Sequence, residues 1–185
     1  MKIGIYGGTF DPIHNGHLRV IVELLTRKVV DQIVLVPAGA PQLRANLPKA
    51  DGQTRLEMCK LAIADLPSAI KGQVITSDIE IVREGPSYAI DTVEALKVKS
   101  NQSKDEFYWI IGSDAYEKIE SWHRASELQE LVNFIVIDRP GSASEGLDIG
   151  ALDISATQIR SDESLHGVSP SVRKFIKERK LYASK

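Results

Sequence analysis

The chain has 185 residues, 43% of them hydrophobic and 26% charged, with a formal net charge of −2. That balance suits one globular domain, residues 1–185, with enough apolar residues for a proper core, and it argues against a polybasic surface built to hold nucleic acid. No apolar stretch approaches the length of a membrane span, and a single cysteine, Cys59, excludes an intramolecular disulfide.

The first predicted element is a short apolar run, residues 3–6, read as a strand. The chain opens on it without an apolar signal segment or an Arg-rich leader, so the expectation is a cytosolic protein that uses neither a membrane nor nucleic acid as partner. The strand empties into Gly7-Gly8-Thr9-Phe10-Asp11-Pro12-Ile13-His14-Asn15-Gly16-His17. Two adjacent glycines let the backbone approach a ligand closely. A helix beginning near Gly16 aims unpaired N–H groups and its positive end at an anion. His14 and His17, three residues apart, share one face of that helix start. Either histidine alone also suits an ordinary turn or cap; two of them in a glycine-rich turn favour phosphate.

Further along, β-branched runs at 33–36, 73–76, 107–111 and 134–137 read as strands, with helical patterns at 18–26, 55–64, 89–98 and 126–131 between them. The near-continuous apolarity of the strands predicts a mostly parallel sheet covered on both faces, a Rossmann-like, doubly wound α/β fold. Ligands in such a sheet sit beyond the carboxyl ends of the strands where strand order reverses, and the first turn falls there. Cys59, in register with Leu56 and Ile63, reads as core packing. The sequon Asn101-Gln102-Ser103 reads as chance, and the Gly-, Ser- and Ala-rich stretch 141–150 as a surface loop.

Ile154-Ser155-Ala156-Thr157-Gln158-Ile159-Arg160 forms a second helix start suited to anions. Ser155 or Thr157 can cap it, the N–H groups behind them bind phosphate, and Arg160 supplies a planar, permanently charged fork. Alone, this segment reads better as a capped surface helix with a solvated Arg, since Ser and Thr caps are common. A last helix is marked by Ser169 as N-cap, Pro170 at its first position and a stripe of Val172, Phe175 and Ile176. Its expected role is structural. Lys and Arg thicken along its exposed face.

The two phosphate segments together resemble the H-x-G-H and I-S-x-T-x-I-R motifs of the nucleotidyltransferase superfamily that moves adenylyl groups. Three central segments extend the resemblance across nearly the whole chain, to nicotinate-nucleotide adenylyltransferase. They are Val36-Pro37-Ala38-Gly39-Ala40-Pro41, Gly85-Pro86-Ser87-Tyr88-Ala89-Ile90-Asp91-Thr92, and Ile111-Gly112-Ser113-Asp114 followed by Ser121-Trp122-His123-Arg124. The resemblance implies a reaction in which the phosphate of nicotinate mononucleotide attacks the α-phosphorus of ATP, giving deamido-NAD and pyrophosphate. It implies catalytic roles for His14, His17 and Arg160, and ATP contacts at Gly8, Thr9, Phe10, Gly16, Ser155, Thr157 and Ile159. Acceptor contacts are implied at Arg44, Tyr88, Ala89, Asp91, Gly112, Asp114, Trp122 and His123. Mg²⁺ is expected to arrive bridging the ATP phosphates, held by substrate and water without a protein ligand. Self-association is left open.

The residues agree with such a substrate. Trp122 offers a flat face to an electron-poor pyridine ring, and a helix start near Ser87-Tyr88 can take a carboxylate on its free N–H groups. Asp114 can accept from ribose or amino groups, or cap a helix. Trp122 serves equally well as a half-buried anchor for a helix. The chain departs from the family after Pro41, where Gln42-Leu43-Arg44 replaces the usual Pro-His-Lys, at Ala89, where many members carry Thr, and at Ala156, where many carry Ser. The competing expectations are the same transfer to nicotinamide mononucleotide or phosphopantetheine, and a nucleotide-binding module without turnover. The first turn lacks G-x-G-x-x-G, and no G-x-x-x-x-G-K-[ST] occurs, so a dinucleotide dehydrogenase and a P-loop kinase are disfavoured.

Overall fold

Five parallel strands form one sheet in the order β3-β2-β1-β4-β5. The computed structural model describes residues 1–41, 47–100, 104–138, 146–162 and 164–183. In chain order the elements are β1 (Lys2–Gly8), α1 (Asn15–Thr26), β2 (Gln32–Pro37), α2 (Gly52–Ala64), α3 (Ser68–Lys71), β3 (Val74–Thr76), α4 (Ala89–Lys99), β4 (Glu106–Gly112), α5 (Ser113–Tyr116), a 3₁₀ turn (Ile119–Ser121), α6 (Ala125–Leu131), β5 (Asn133–Ile137), α7 (Ala156–Ser161) and α8 (Pro170–Glu178). The expected α/β class and parallel sheet are observed.

Side chains alternate along each strand, so each sheet face buries its own apolar layer. On one face Ile33, Leu35, Ile110 and Ile135 pack with Val20, Ile21 and Leu24 of α1, Met58 and Cys59 of α2, and Val172 and Ile176 of α8. On the other, Ile5, Val34, Trp109 and Ile111 pack with Ile90 and Val93 of α4 and Leu128 of α6. Cys59 lies in the first layer as a free thiol whose burial raises its pKa well above the usual value. α8 docks on α2 and is tied to it where Asp65 accepts from the backbone N–H and hydroxyl of Ser171 at 2.9 and 2.6 Å.

Strand order reverses between β1 and β4. The chain leaves β1 toward one face and β4 toward the other, and the diverging loops open a crevice. β1 runs two residues further than its apolar run predicts: Gly7 and Gly8 still pair with Val36 and Pro37. The short helices α3 and α5 carry no apolar period of their own, which is why the pattern between strands misses them. The described part of 141–150 includes a bridge between Leu147 and Ile137; residues 141–145 and the sequon 101–103 lie outside the described residues. No helix among the described residues is long and apolar enough to cross a membrane.

Candidate active site

The turn after β1 is shaped by side-chain packing. A Cβ on Gly7 would stand 2.9 Å from the Trp109 ring, and one on Gly8 would stand 2.8 Å from the Phe10 ring. The adjacent glycines therefore admit aromatic rings as well as bringing backbone to the crevice. Phe10 adopts a left-handed backbone (φ 49°), uncommon for a non-glycine residue, and its buried ring packs edge-on against Tyr6 and His17.

α1 starts at Asn15 with His14 in the N-cap position. The His14 backbone N–H donates to Nδ1 of His17 at 3.2 Å, so a neutral His17 carries its proton on Nε2. The two imidazoles stack with centroids 3.7 Å apart. Burial pushes the pKa of His14 down to about 4, which keeps that ring neutral near pH 7. Gly16 lies under it: a Cβ there would meet His14 Nδ1 and Cε1 at 3.0 Å.

The second motif reaches the same place. Ser155 caps α7 by accepting from the Gln158 N–H at 3.2 Å, and Gln158 Oε1 accepts in return from the Ser155 N–H at 3.1 Å, a reciprocal capping box. Arg160, one-fifth exposed, donates from Nη1 to the Asp11 carbonyl at 2.6 Å and from Nη2 to Thr157 Oγ1 at 3.1 Å. Ile159 points into the core at 2% exposure, fixing the helix that carries Arg160.

Two groups without a role in the sequence reading hold this turn. Arg55, fully buried, donates to the carbonyls of Thr9, Ala38 and Ala50 at 2.7, 2.6 and 3.1 Å. Its charge on a helix reads as a solvated residue, and no local signal distinguishes it. Asp11, also buried, accepts from the backbone N–H groups of Lys49 and Ala50 at 2.7 and 3.2 Å. Together they clamp the loops after β1 and β2 to the start of α2.

Beside the turn opens a cavity of about 620 Å³, lined by residues that include Tyr6, Gly8 and Thr9 of β1 and the turn after it and Ser87, Tyr88, Ala89, Gly112, Trp122 and His123. That volume accommodates a mononucleotide. Trp122 is half-buried, edge-on to Trp109 with centroids 6.2 Å apart, and Tyr88 stacks on His123 at 4.2 Å. Trp122 thus packs against Trp109 and lines the cavity. α4 begins at Ala89, so its first-turn N–H groups lie at the cavity edge.

Ser87 joins the cavity walls: its Oγ accepts from the N–H groups of Gly39 and Ala40, both at 3.0 Å. Gly39 is required there, since a Cβ would overlap the Glu80 carbonyl. Glu80 is a buried wall residue that accepts from Thr92 Oγ1 at 2.7 Å; burial raises its carboxyl pKa against the opposing Thr92 and Ser87 hydroxyls and Arg83. Asp91 and Asp114 do not line the cavity. Asp91 stands 3.9 Å from both Arg83 and Arg124, and Asp114 sits exposed in the first turn of α5, whose N-cap position belongs to Gly112. Arg124, with a left-handed backbone (φ 52°), pairs with Glu94 and Glu127 at 2.8 and 2.7 Å and so ties the Trp122-His123 segment to α4. Arg44 lies outside the described residues.

The family model described as cytidylyltransferase-like matches residues 5–171. The chain is 38% identical to a nicotinate-nucleotide adenylyltransferase of Bacillus subtilis (strain 168), over 99% of each chain. It is also 38% identical to a probable nicotinate-nucleotide adenylyltransferase of Bacillus pumilus (strain SAFR-032), over 99% of each. Its fold matches that of Plasmodium falciparum nicotinic acid mononucleotide adenylyltransferase complexed with NaAD, with a TM-score of 0.81 at 22% identity, covering 98% of this chain and 97% of that one.

Proposed function

The chain belongs to the nicotinate-nucleotide adenylyltransferases within the cytidylyltransferase-like family, and we infer that it transfers the adenylyl group of ATP to nicotinate mononucleotide, giving deamido-NAD and pyrophosphate. The observation that carries the reading of the site is the bond from Arg160 to the Asp11 carbonyl at 2.6 Å. It joins α7 to the turn that precedes α1, residues 149 apart in the chain, at the sheet's switch point and beside the cavity.

An acceptor phosphate oxygen attacks the α-phosphorus in line as the bond to the bridging oxygen breaks and pyrophosphate leaves. No covalent enzyme intermediate is needed. Charge builds on the phosphoryl oxygens, so the protein contributes donors already in place: His17 through Nε2–H, neutral His14, Arg160 and the N–H groups opening α1 and α7. These are donors for anions, unlike the oxygen set that cages a hard cation. Mg²⁺ would come with the nucleotide substrate and would neutralise charge on its phosphates.

In this reading the pyridine ring lies in the cavity against Trp122, with its carboxylate on the N–H groups at the start of α4. Asp91, placed in ion pairs with Arg83 and Arg124, supports that helix start from behind. Ile159 supports Arg160 in the same indirect way from the core.

Pyrophosphate release from ATP and Mg²⁺, run with nicotinate mononucleotide, nicotinamide mononucleotide and phosphopantetheine side by side, tests the assignment. The expected result is the highest kcat/KM with nicotinate mononucleotide. Preference for another acceptor would overturn the use of the cavity, and silence with all three would overturn the reaction.

A further inference from the structure

Tyr182, beyond α8, reaches back to the first motif. Lys180 and Tyr182 both adopt left-handed backbones (φ 52° and 64°), which turn the chain over the core. The Tyr182 ring packs against the core layer that holds Met58 and Phe10, and its hydroxyl donates to Asp11 Oδ1 at 2.6 Å. Burial and the Asp11 carboxylate hold that hydroxyl's pKa far above its ordinary value, so it remains a proton donor at any working pH.

This bond completes a set around Asp11. Oδ1 accepts from Tyr182 and, at a longer 3.2 Å, from the Ala50 N–H, while Oδ2 accepts from the Lys49 N–H at 2.7 Å. Nη1 of Arg160 stands 3.8 Å from Oδ2, too far for a hydrogen bond, and donates to the Asp11 carbonyl instead. Without the Tyr182 hydroxyl, Oδ1 keeps only its longer bond. The carboxylate then gains by turning toward the guanidinium nearby, and a bidentate Arg–carboxylate pair is the strong geometry available to it.

We propose that Tyr182 is a positioning residue for ATP: its bond to Asp11 keeps that carboxylate from closing on Arg160, leaving the guanidinium directed at the triphosphate. The inference rests on the reading that Arg160 meets the phosphates of ATP.

The full chain carrying Tyr182→Phe tests it. KM for ATP should rise about tenfold, the range of a lost charge-assisted hydrogen bond, while KM for nicotinate mononucleotide stays within about twofold. Adding Asp11→Asn to Tyr182→Phe removes the competing charge and should bring KM for ATP back toward the wild-type value, a coupling that a packing role would not produce. An unchanged KM for ATP, a parallel rise of both KM values, or no recovery in the double variant overturns the proposal. Should Tyr182→Phe lose its circular dichroism, 3-fluorotyrosine placed at 182 keeps the shape. Its ¹⁹F resonance should shift on adding ATP and Mg²⁺ but not the acceptor, and no shift overturns the idea. Wild-type protein assayed in parallel separates the two claims: no pyrophosphate from it sinks the reaction itself, whereas turnover with an unaltered Tyr182→Phe sinks only the role of Tyr182.

Discussion

The imidazoles of His14 and His17 lie face to face, centroids 3.7 Å apart and planes inclined by 27°. Two imidazolium ions at that separation repel, and His14 is buried with its pKa held down to about 4, so His14 is neutral near pH 7. The N-cap bond from His14 N–H to His17 Nδ1 sets which nitrogen of His17 donates. In the proposed reading this geometry offers a transferring phosphoryl group a donor set in advance, without a proton having to be gained first.

His17→Ala removes that donor while leaving Leu18, Val20 and Ile21 to hold α1 on the sheet. kcat should fall by about 10²- to 10³-fold, the cost of losing one oriented donor to a developing anion. Steady-state pyrophosphate release checks this, with an unchanged circular dichroism spectrum as control. Turnover close to that of the wild type would remove His17 from the transition state.

The buried state of His14 makes stability depend on pH in a defined window. Between about 4 and the ordinary value of 6.5 the unfolded chain binds a proton at this site and the folded chain does not. Stability therefore rises with pH through that window, is fully present above 6.5, and is lost as the pH falls. Urea midpoints from pH 4.5 to 7.5 should rise less steeply for His14→Asn than for the wild type. Equal slopes would mean that the imidazole is solvated.

Arg55 donates to three main-chain carbonyls at once, those of Thr9, Ala38 and Ala50. Arg55→Met keeps much of the volume but leaves those acceptors without the guanidinium, and should destabilise the fold by about 3–5 kcal/mol. Arg55→Lys should recover little of this, because one ammonium cannot fork to three oxygens. Denaturant unfolding of both variants measures the difference.

Trp122→Ala removes a ring from the cavity wall. KM for nicotinate mononucleotide should rise at least about fivefold as a stacking surface is lost, with KM for ATP nearly constant. If the acceptor KM stays put, Trp122 serves only as the anchor of its segment against Trp109.

The order of strands and helices was legible along the chain because a parallel sheet buries its strands on both faces, leaving apolar runs that a linear reading detects. β1 was read two residues short because Gly7 and Gly8 carry no hydrophobic signal, though their backbones continue the ladder. The helix starts at His14 and Ser155 were legible for a local reason: capping and anion binding depend on residues three or four apart. Asp91 and Asp114, expected at the acceptor, are not among the residues lining the cavity.

By itself the sequence determined the α/β class and the two capped helix starts, carried by short-range periodicity and spacing, and its motifs carried the resemblance to the family. Only the tertiary structure decided how those pieces are held: Arg55 on Thr9, 46 residues away, Ser87 on Gly39, 48 away, and Tyr182 on Asp11, 171 away. Such bonds depend on where the sheet and its loops converge in space. No local period in the chain encodes that convergence, because the geometry joining these residues exists only after the β-strands have paired and both faces have been covered.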